Sequence, residues 1–216
     1  MSWERAQANE SGLPEGIVQL LEQHSELRRP RLVIGTVEHK VVLPHGQRPS
    51  QNDVWAIVGV GGDLLSLTVE AKAGEPFGDL VSVWLERREP GSDKPARLKA
   101  LQKLLGIPDK DATGVRYQLL HRTASAIIEA ERIGAKYAAM IVQSFRNGKR
   151  ISSTRKSLDD FKAFGRLFGF ALEEGRLVRI TTETIVPMYL GWVTCDPATD
   201  SEVAALRVDD PAIFRE

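Results

Sequence analysis

The chain of 216 residues contains a single cysteine, Cys195. One thiol cannot close an internal disulfide, nor can it supply the several thiolates of a structural zinc site. A lone cysteine is typical of a protein that works in a reducing compartment. The sequence therefore predicts a fold held by its hydrophobic core, and a chain of this length buries roughly 70% of its unfolded surface on folding.

Long apolar runs are also missing. No window approaches the ~20 apolar residues that a membrane-spanning helix needs, and the polar segment 1–12 has no apolar centre like that of a signal peptide. We therefore expect a cytoplasmic protein with no membrane partner. We further expect residues 1–12 to form a loose leader, residues 13–195 a single α/β domain, and residues 196–216 a peripheral tail.

An excess of positive charge is the third absence, since 29 basic residues balance 29 acidic ones. No global field would steer such a chain to phosphate, so nucleic-acid binding would require a local basic surface. The stretch 146–156 offers one, because it contains five basic residues and no acidic one. Arg146, Lys149 and Arg150 are the candidate phosphate contacts. A solvated charged loop is the alternative interpretation.

The most informative segment runs from residue 52 to residue 77. Asp53–Val60 is rich in β-branched and aromatic residues, and Gly61-Gly62 predicts a tight turn before a second apolar strand. That second strand ends in Glu70-Ala71-Lys72. Because an antiparallel hairpin returns the chain to where it began, we expect Asp53 to lie near Glu70 and Lys72.

These three residue types suit phosphodiester hydrolysis. Two carboxylates can hold Mg²⁺ (or Mn²⁺), which keeps several of its own waters. A bound metal can activate water and relieve charge on the phosphate, and a neighbouring lysine can stabilise developing negative charge. Glu70 and Lys72 stand two apart on a strand and so share a face. A solvated Glu–Lys pair without function is the plainer alternative.

The remaining pattern predicts a short helix after Pro14 and a β-rich run over residues 31–43. Further on it predicts helices over 79–86, 96–105 and 116–133, a buried strand over 137–142, a helix capped by Ser157, and strands around 177–184 and 186–194. The strand at 137–142 should enter the sheet parallel to a neighbour, since a long helix precedes it. The two late strands should form a hairpin or sheet edge.

On the long helix, Gln118 and Arg122 stand one turn apart on the polar face, which Ser125 and Glu129 continue. They are second-tier site candidates, with a solvent-facing helix surface as the alternative. His121 lies on neither face and is interpreted as structural. Glu75 is a weaker candidate for an additional carboxylate, as are Glu22 and Glu26.

The Asp53 strand, its hairpin and Glu70-Ala71-Lys72 resemble the PD-(D/E)XK nuclease superfamily, in particular its uncharacterised bacterial members. The resemblance implies a restriction-endonuclease-like fold, with a mixed central sheet flanked by helices and extra C-terminal strands. It implies that Asp53 and Glu70 bind the metal, and that Lys72 is the catalytic lysine. Related nucleases often place Gln or Arg where Gln118 and Arg122 stand. Asn52 departs from the family, which often has proline before the aspartate.

The sequence thus predicts a Mg²⁺-dependent nuclease acting on DNA, in restriction, repair or defence. The alternative is a nuclease-like module that binds nucleic acid or protein without catalysis. The oligomeric state is left open, with a homodimer among the alternatives.

Overall fold

The structure is a computed structural model that describes Trp3, residues 10–146 and residues 151–196, with the backbone alone for 151–153. Its centre is a six-stranded mixed sheet in the order β1-β2-β3-β4-β6-β5. The strands are β1 Arg31–Val41, β2 Ser50–Val60, β3 Asp63–Lys72, β4 Tyr137–Phe145, β5 Leu177–Ile180 and β6 Met188–Cys195. The helices are α1 Glu15–Leu21, α2 Val81–Glu86, α3 Lys94–Leu104, α4 Tyr117–Ile133 and α5 Ile151–Leu167, with a 3₁₀ turn at Ser25–Leu27.

The mixed α/β class is confirmed. Strands β1, β2 and β3 form an antiparallel meander, whereas β4 runs parallel to both β3 and β6. The predicted parallel entry of β4 is therefore confirmed. The late hairpin is confirmed too, because β5 pairs antiparallel with β6, although β6 lies inside the sheet and only β5 is at its edge.

Two apolar cores cover the two faces of the sheet. One face packs against α1 through residues such as Ile17 and Leu21. The other face packs against the four later helices, with Leu119 of α4 and Phe161 of α5 in its core. Strand β4 belongs to both layers, and its first eight residues are all buried. Such a continuous apolar run suits a strand that has parallel neighbours on both sides.

The hairpin between β2 and β3 forms where the glycines predict it. Gly61 and Gly62 have φ of 55° and 99°, a left-handed pair that glycine adopts without steric cost. The turn closes the pair Val60–Asp63 and fixes the register of the two strands through Val54–Val69.

Beyond Val54 and Val69 the two strands of this hairpin separate. β2 stays paired with β1 as far as Ser50 opposite Val41, and β3 stays paired with β4 as far as Lys72 opposite Ser144. The β2–β3 ladder has already ended at this point. The sheet therefore forks at one end, and we call this region the β2–β3 fork.

The prediction of a helix capped by Ser157 is wrong. Helix α5 begins at Ile151, and Ser157 lies buried within it, where its hydroxyl donates to the carbonyl of Glu75 over 3.3 Å. The basic residues Arg155 and Lys156 are exposed on the helix rather than in a loop. Serine is favoured at helix starts because it can accept from backbone N–H groups, but here its hydroxyl has a partner outside the helix.

Among the described residues, no helix is both long enough and apolar enough to span a bilayer.

Candidate active site

Glu70 is the centre of the polar cluster at the β2–β3 fork, with 2% of its surface exposed. Its Oε1 accepts from Lys72 Nζ and from Gln118 Nε2, each at 2.6 Å. Its Oε2 accepts from Arg122 Nε, also at 2.6 Å. Burial of a lone carboxylate is costly, so these three donors make the ionised form tolerable at this position.

Lys72 is almost as deeply placed, with 5% of its surface exposed. Its ammonium lies 2.6 Å from Glu70 Oε1 and 5.0 Å from the centre of the Phe77 ring. The negative face of an aromatic ring attracts a cation, and the attraction is stronger away from water. The lysine is therefore fixed by its own strand neighbour and by the loop that follows the strand.

Helix α4 contributes Gln118 and Arg122, which point to the same side because they are four residues apart. Gln118 also accepts from the backbone N–H of Gly78 over 3.3 Å, so its amide bridges Glu70 and the loop after β3. Arg122 is buried, and its carbonyl accepts from Thr68 of β3. Both second-tier candidates thus contact Glu70 directly.

The alternative interpretation of this helix side as a solvent-facing surface is wrong. Arg122, Ser125 and Glu129 are all buried. Polar residues at helical spacing usually mark the wet side of a helix, but here they face polar groups on the sheet and the helix itself. Ser125 donates to the His121 carbonyl over 2.8 Å, and Glu129 Oε1 lies 3.5 Å from His39 Nε2.

Asp53 lies at the same fork, half-buried on β2. Its Oδ2 accepts from the backbone N–H of Ala71 over 2.7 Å, and its other oxygen accepts no hydrogen bond from the described residues. Burial, and next the negative charge of Glu70, raise the pKa of Asp53, while the Ala71 N–H, Arg122 and Lys72 act in the opposite direction. Asp53, Glu70 and Lys72 therefore belong to one electrostatic cluster.

The backbone explains how Asp53 reaches β3. The β1–β2 ladder includes Val37–Val54 and His39–Asn52 but leaves out Glu38 and Asp53 between them. Glu38 has a φ of 54°, which is unusual for a residue with a side chain. The strand pair is irregular at this step, next to the point where β2 and β3 separate. The Asp53 carboxylate then satisfies the Ala71 N–H.

The chain matches one family model, the domain of unknown function DUF6946, over residues 1–197. It belongs to this family. No curated protein matches the chain. No solved structure matches it either.

Two residues of this DUF6946 member complete the cluster and were not predicted as site residues. Ser50 Oγ accepts from Arg122 Nη1 over 3.0 Å and lies 2.8 Å from His121 Nδ1. Burial of the imidazole and the charges of Arg122 and Arg97 hold the pKa of His121 well below its ordinary value. His121 is three residues from Gln118 and next to Arg122, and that helical spacing was the one signal available in the sequence.

The basic stretch is described only in part. Arg146 follows β4 directly, is exposed, and forms an ion pair with Asp196 at 3.1 Å. Lys149 and Arg150 lie outside the described residues. Lys72 and Ser144 are register partners on parallel strands. Arg146, which follows β4, therefore lies at the same end of these strands as the Glu70 cluster.

The donor set fits magnesium or manganese better than a metal that needs a cage of protein ligands. Within the described part of the chain, no group of three or more His, Cys, Asp or Glu side chains could hold a metal. The cluster instead offers the two carboxylates Asp53 and Glu70, and Asp53 has an uncommitted oxygen. Mg²⁺ retains several waters and accepts one or two carboxylates. Burial and the negative charge of Glu70 raise the pKa of Asp53, and a cation would offset the second of these causes.

The weaker carboxylate candidates have other partners. Glu75 accepts from the backbone N–H of Ala73 over 2.9 Å, within its own loop. Glu26 accepts from the Tyr189 hydroxyl over 2.7 Å. These contacts do not join either residue to the Glu70 cluster.

Proposed function

We propose that the chain is a metal-dependent phosphodiesterase that cleaves DNA, with the restriction-endonuclease-like fold of the PD-(D/E)XK nucleases. The observation that carries the proposal is the grouping of Asp53, Glu70 and Lys72 in one electrostatic cluster at the β2–β3 fork. A buried Glu–Lys pair with a second carboxylate hydrogen-bonded to the backbone between the two residues is an uncommon arrangement for a purely structural role, because burial of charge is costly.

The order of elements supports the proposed fold. A helix, a three-stranded antiparallel meander, a long helix and a parallel strand occur in this order as α1, β1–β3, α4 and β4, with the short helices α2 and α3 inserted between β3 and α4. This is the order that the resemblance to the superfamily implies. The single cysteine supports a cytoplasmic location as part of the proposal.

Each residue then has a role. Asp53 and Glu70 would hold Mg²⁺ or Mn²⁺, and the metal when bound supplies an activated water and a counter-charge for the phosphate. Lys72 places an ammonium group where negative charge develops. Arg122 and Gln118 hold the Glu70 carboxylate from the helix side. A residue that must keep one orientation during a reaction benefits from such supports.

The test compares two substitutions that separate chemistry from metal binding. Lys72→Ala should lower DNA cleavage by about 10²–10³-fold while Mn²⁺ binding persists, because the ammonium does not coordinate the metal. Lys72→Met, which keeps most of the apolar stem and removes only the ammonium group, should behave in the same way. Asp53→Asn should lose both cleavage and metal binding. Plasmid nicking with Mg²⁺ and calorimetry with Mn²⁺ measure the two properties.

Lys136→Ala is the matched control, since Lys136 pairs with Asp63 at the opposite end of β3 over 2.7 Å. It should cleave like the wild type. Equal loss of metal binding in Lys72→Ala and Asp53→Asn would show that the roles are assigned wrongly. A wild type that neither binds Mn²⁺ nor cleaves DNA or RNA would exclude the nuclease.

One observation favours a second candidate, a nuclease-like module that binds nucleic acid or protein without catalysis. Both oxygens of Glu70 already accept short hydrogen bonds from three donors, and the chain carries no net charge. In that case the ion pairs of Glu70 with Lys72 and Arg122 would only hold the strands and α4 together. DNA binding that persists without metal and without cleavage would identify this candidate.

A further inference from the structure

Among the described residues, only Arg122 donates a hydrogen bond to Glu70 Oε2, and its guanidinium also donates to a second acceptor. Nε donates to Glu70, and Nη1 donates to Ser50 Oγ over 3.0 Å. The guanidinium is planar, so two contacts at different nitrogens fix its orientation. The Thr68 hydroxyl donates to the Arg122 carbonyl and fixes the backbone as well.

The direction of the next hydrogen bond follows from what each group can donate. A guanidinium has donors only, so Ser50 Oγ must accept from Arg122. The hydroxyl proton of Ser50 is then left for His121 Nδ1, 2.8 Å away. The described residues offer the Ser50 hydroxyl no other acceptor, so the geometry assigns Nδ1 as the acceptor, and the proton of the neutral ring then lies on Nε2. The chain of contacts runs from His121 through Ser50 and Arg122 to Glu70.

The two outer residues have rigid surroundings. Ser50 is the first residue of β2, opposite Val41, with 1% of its surface exposed. The His121 ring packs against Tyr117 with 4.9 Å between ring centres, and Tyr117 stacks on Trp84 at 3.8 Å. The position of Arg122 is thus fixed from the sheet and from the helix together.

We propose that Ser50 and His121 are positioning residues that orient Arg122 on Glu70, and through Arg122 prepare the two-carboxylate site for its divalent cation. This inference rests on the proposed function. Neither residue would touch the metal or the phosphate. Their loss would let Arg122 change its orientation, so that Glu70 loses a fixed partner on Oε2. Outer residues of this kind typically matter by about 10–100-fold in metal affinity or activity.

The experiment uses two removals, two conservative replacements and one control in the full-length chain. Ser50→Ala and His121→Leu each remove a hydrogen-bonding group. Ser50→Thr keeps the hydroxyl, and His121→Asn places an amide oxygen near the position of Nδ1. Ser125→Ala is the matched control. It removes a buried hydroxyl from α4, the helix that carries His121, and this hydroxyl donates to a backbone carbonyl rather than contacting the Arg122 guanidinium.

Three measurements apply to every variant: hydrogen exchange of the Arg122 Nε–H by NMR, Mn²⁺ binding, and kcat and KM for DNA cleavage. We expect Ser50→Ala and His121→Leu to speed the Arg122 exchange and to lower kcat, each by about tenfold or more, with KM nearly unchanged. The Thr and Asn variants should recover most of both effects. Ser125→Ala should change neither. In the wild type, ¹⁵N shifts should show Nδ1 of His121 without a proton.

Unchanged Arg122 exchange in Ser50→Ala would overturn the inference, and so would a proton on His121 Nδ1 in the wild type. An equal fall of kcat in Ser125→Ala would also overturn it, since the effect would then be general destabilisation. If the wild type neither binds Mn²⁺ nor cleaves DNA, the proposed function fails and with it the link to the cation. The exchange data then still decide whether Ser50 and His121 orient Arg122.

Discussion

Glu70 is a buried carboxylate that faces two cations, Lys72 and Arg122. The cost of burying these charges is repaid only while all partners are present. Removing the carboxylate would leave two buried cations without their counter-charge. The stability of the fold is therefore sensitive to this one side chain, whether or not the site is catalytic.

We predict that Glu70→Ala lowers the free energy of unfolding by about 3–5 kcal/mol. Glu70→Gln should cost a similar amount, because the amide also removes the counter-charge of Lys72 and Arg122 and turns an N–H donor toward one of the existing donors. Asp63→Ala, which breaks the exposed pair with Lys136, is the control and should cost about 0–1 kcal/mol. Urea unfolding measures all three, and similar values for Glu70→Ala and Asp63→Ala would contradict the argument.

His121 makes the fold sensitive to acid. Its folded-state pKa lies below its unfolded value, so its contribution to stability is complete above about pH 6.5 and is lost as the pH falls toward the folded pKa. The free energy of unfolding should fall below pH 6.5 by up to about 1.4 kcal/mol per pH unit from this group. His121→Asn should flatten that slope. The other three histidines of the chain are present in both proteins, so the difference between the two pH profiles reports on His121.

The sequence predicted that Asp53, Glu70 and Lys72 lie close together, but it did not reveal the residues that hold Arg122 beside them. Asp53, Glu70 and Lys72 could be brought together because a two-residue glycine turn fixes the hairpin register. The Ser50 and His121 contacts could not be predicted, since they depend on how far α4 sits along the sheet. The burial of Arg122 was missed for the same reason.

The helices and strands show the same division between local and non-local information. Glycines and apolar periodicity predicted the hairpin and α4, which ends at Gly134 with a φ of 67°. The start of α5 was misjudged, because Ser157 carries a strong local signal for a helix start that tertiary contacts override. Strand β6 was identified, but its place between β4 and β5 depends on pairing that no local pattern encodes.

The contact between α1 and β6 is close enough to test by a single methyl group. A Cβ added at Gly16 would lie 2.5 Å from Val193 Cγ2. We predict that Gly16→Ala destabilises the protein by about 1–3 kcal/mol, although alanine favours a helix over glycine by ~1 kcal/mol. Gly114→Ala, where an added Cβ meets no atom within 4 Å, should be neutral or stabilising. Chemical denaturation distinguishes them, and a Gly16→Ala protein as stable as the wild type would mean that α1 can move away at little cost.

The basic and acidic residues of the whole chain balance. The polar cluster at the β2–β3 fork lies on the side of the sheet that packs against α4. Its residues lie between Ser50 and Arg122, and they come from β2, β3 and α4. The opposite face carries α1 and an apolar core. If the protein binds DNA at this cluster, the DNA would approach from the side where strands β3 and β4 end, next to Arg146.

This placement leads to a prediction about the basic stretch. If the protein binds DNA, reversing Arg146, Lys149 and Arg150 to Glu should weaken binding of all sequences alike, because phosphate contacts carry no sequence information. Five phosphate contacts would give log K a slope of about −4.5 against log salt, and loss of three would reduce its size by about 2.7. Mn²⁺ binding should not change. Fluorescence anisotropy in the Lys72→Ala background measures binding without cleavage.

The matched control reverses Arg28, Arg29 and Arg31 to Glu, which changes the net charge by the same amount. Arg31 lies opposite Gly59, near the hairpin turn, whereas Ser50 lies at the other end of β2. The control cluster is therefore at the far end of the sheet from the fork. A general effect of charge would weaken DNA binding equally in both triple variants. Selective loss in the variant at 146–150 would assign the DNA path to the edge beside Lys72, and unchanged binding there would make that stretch a solvated surface.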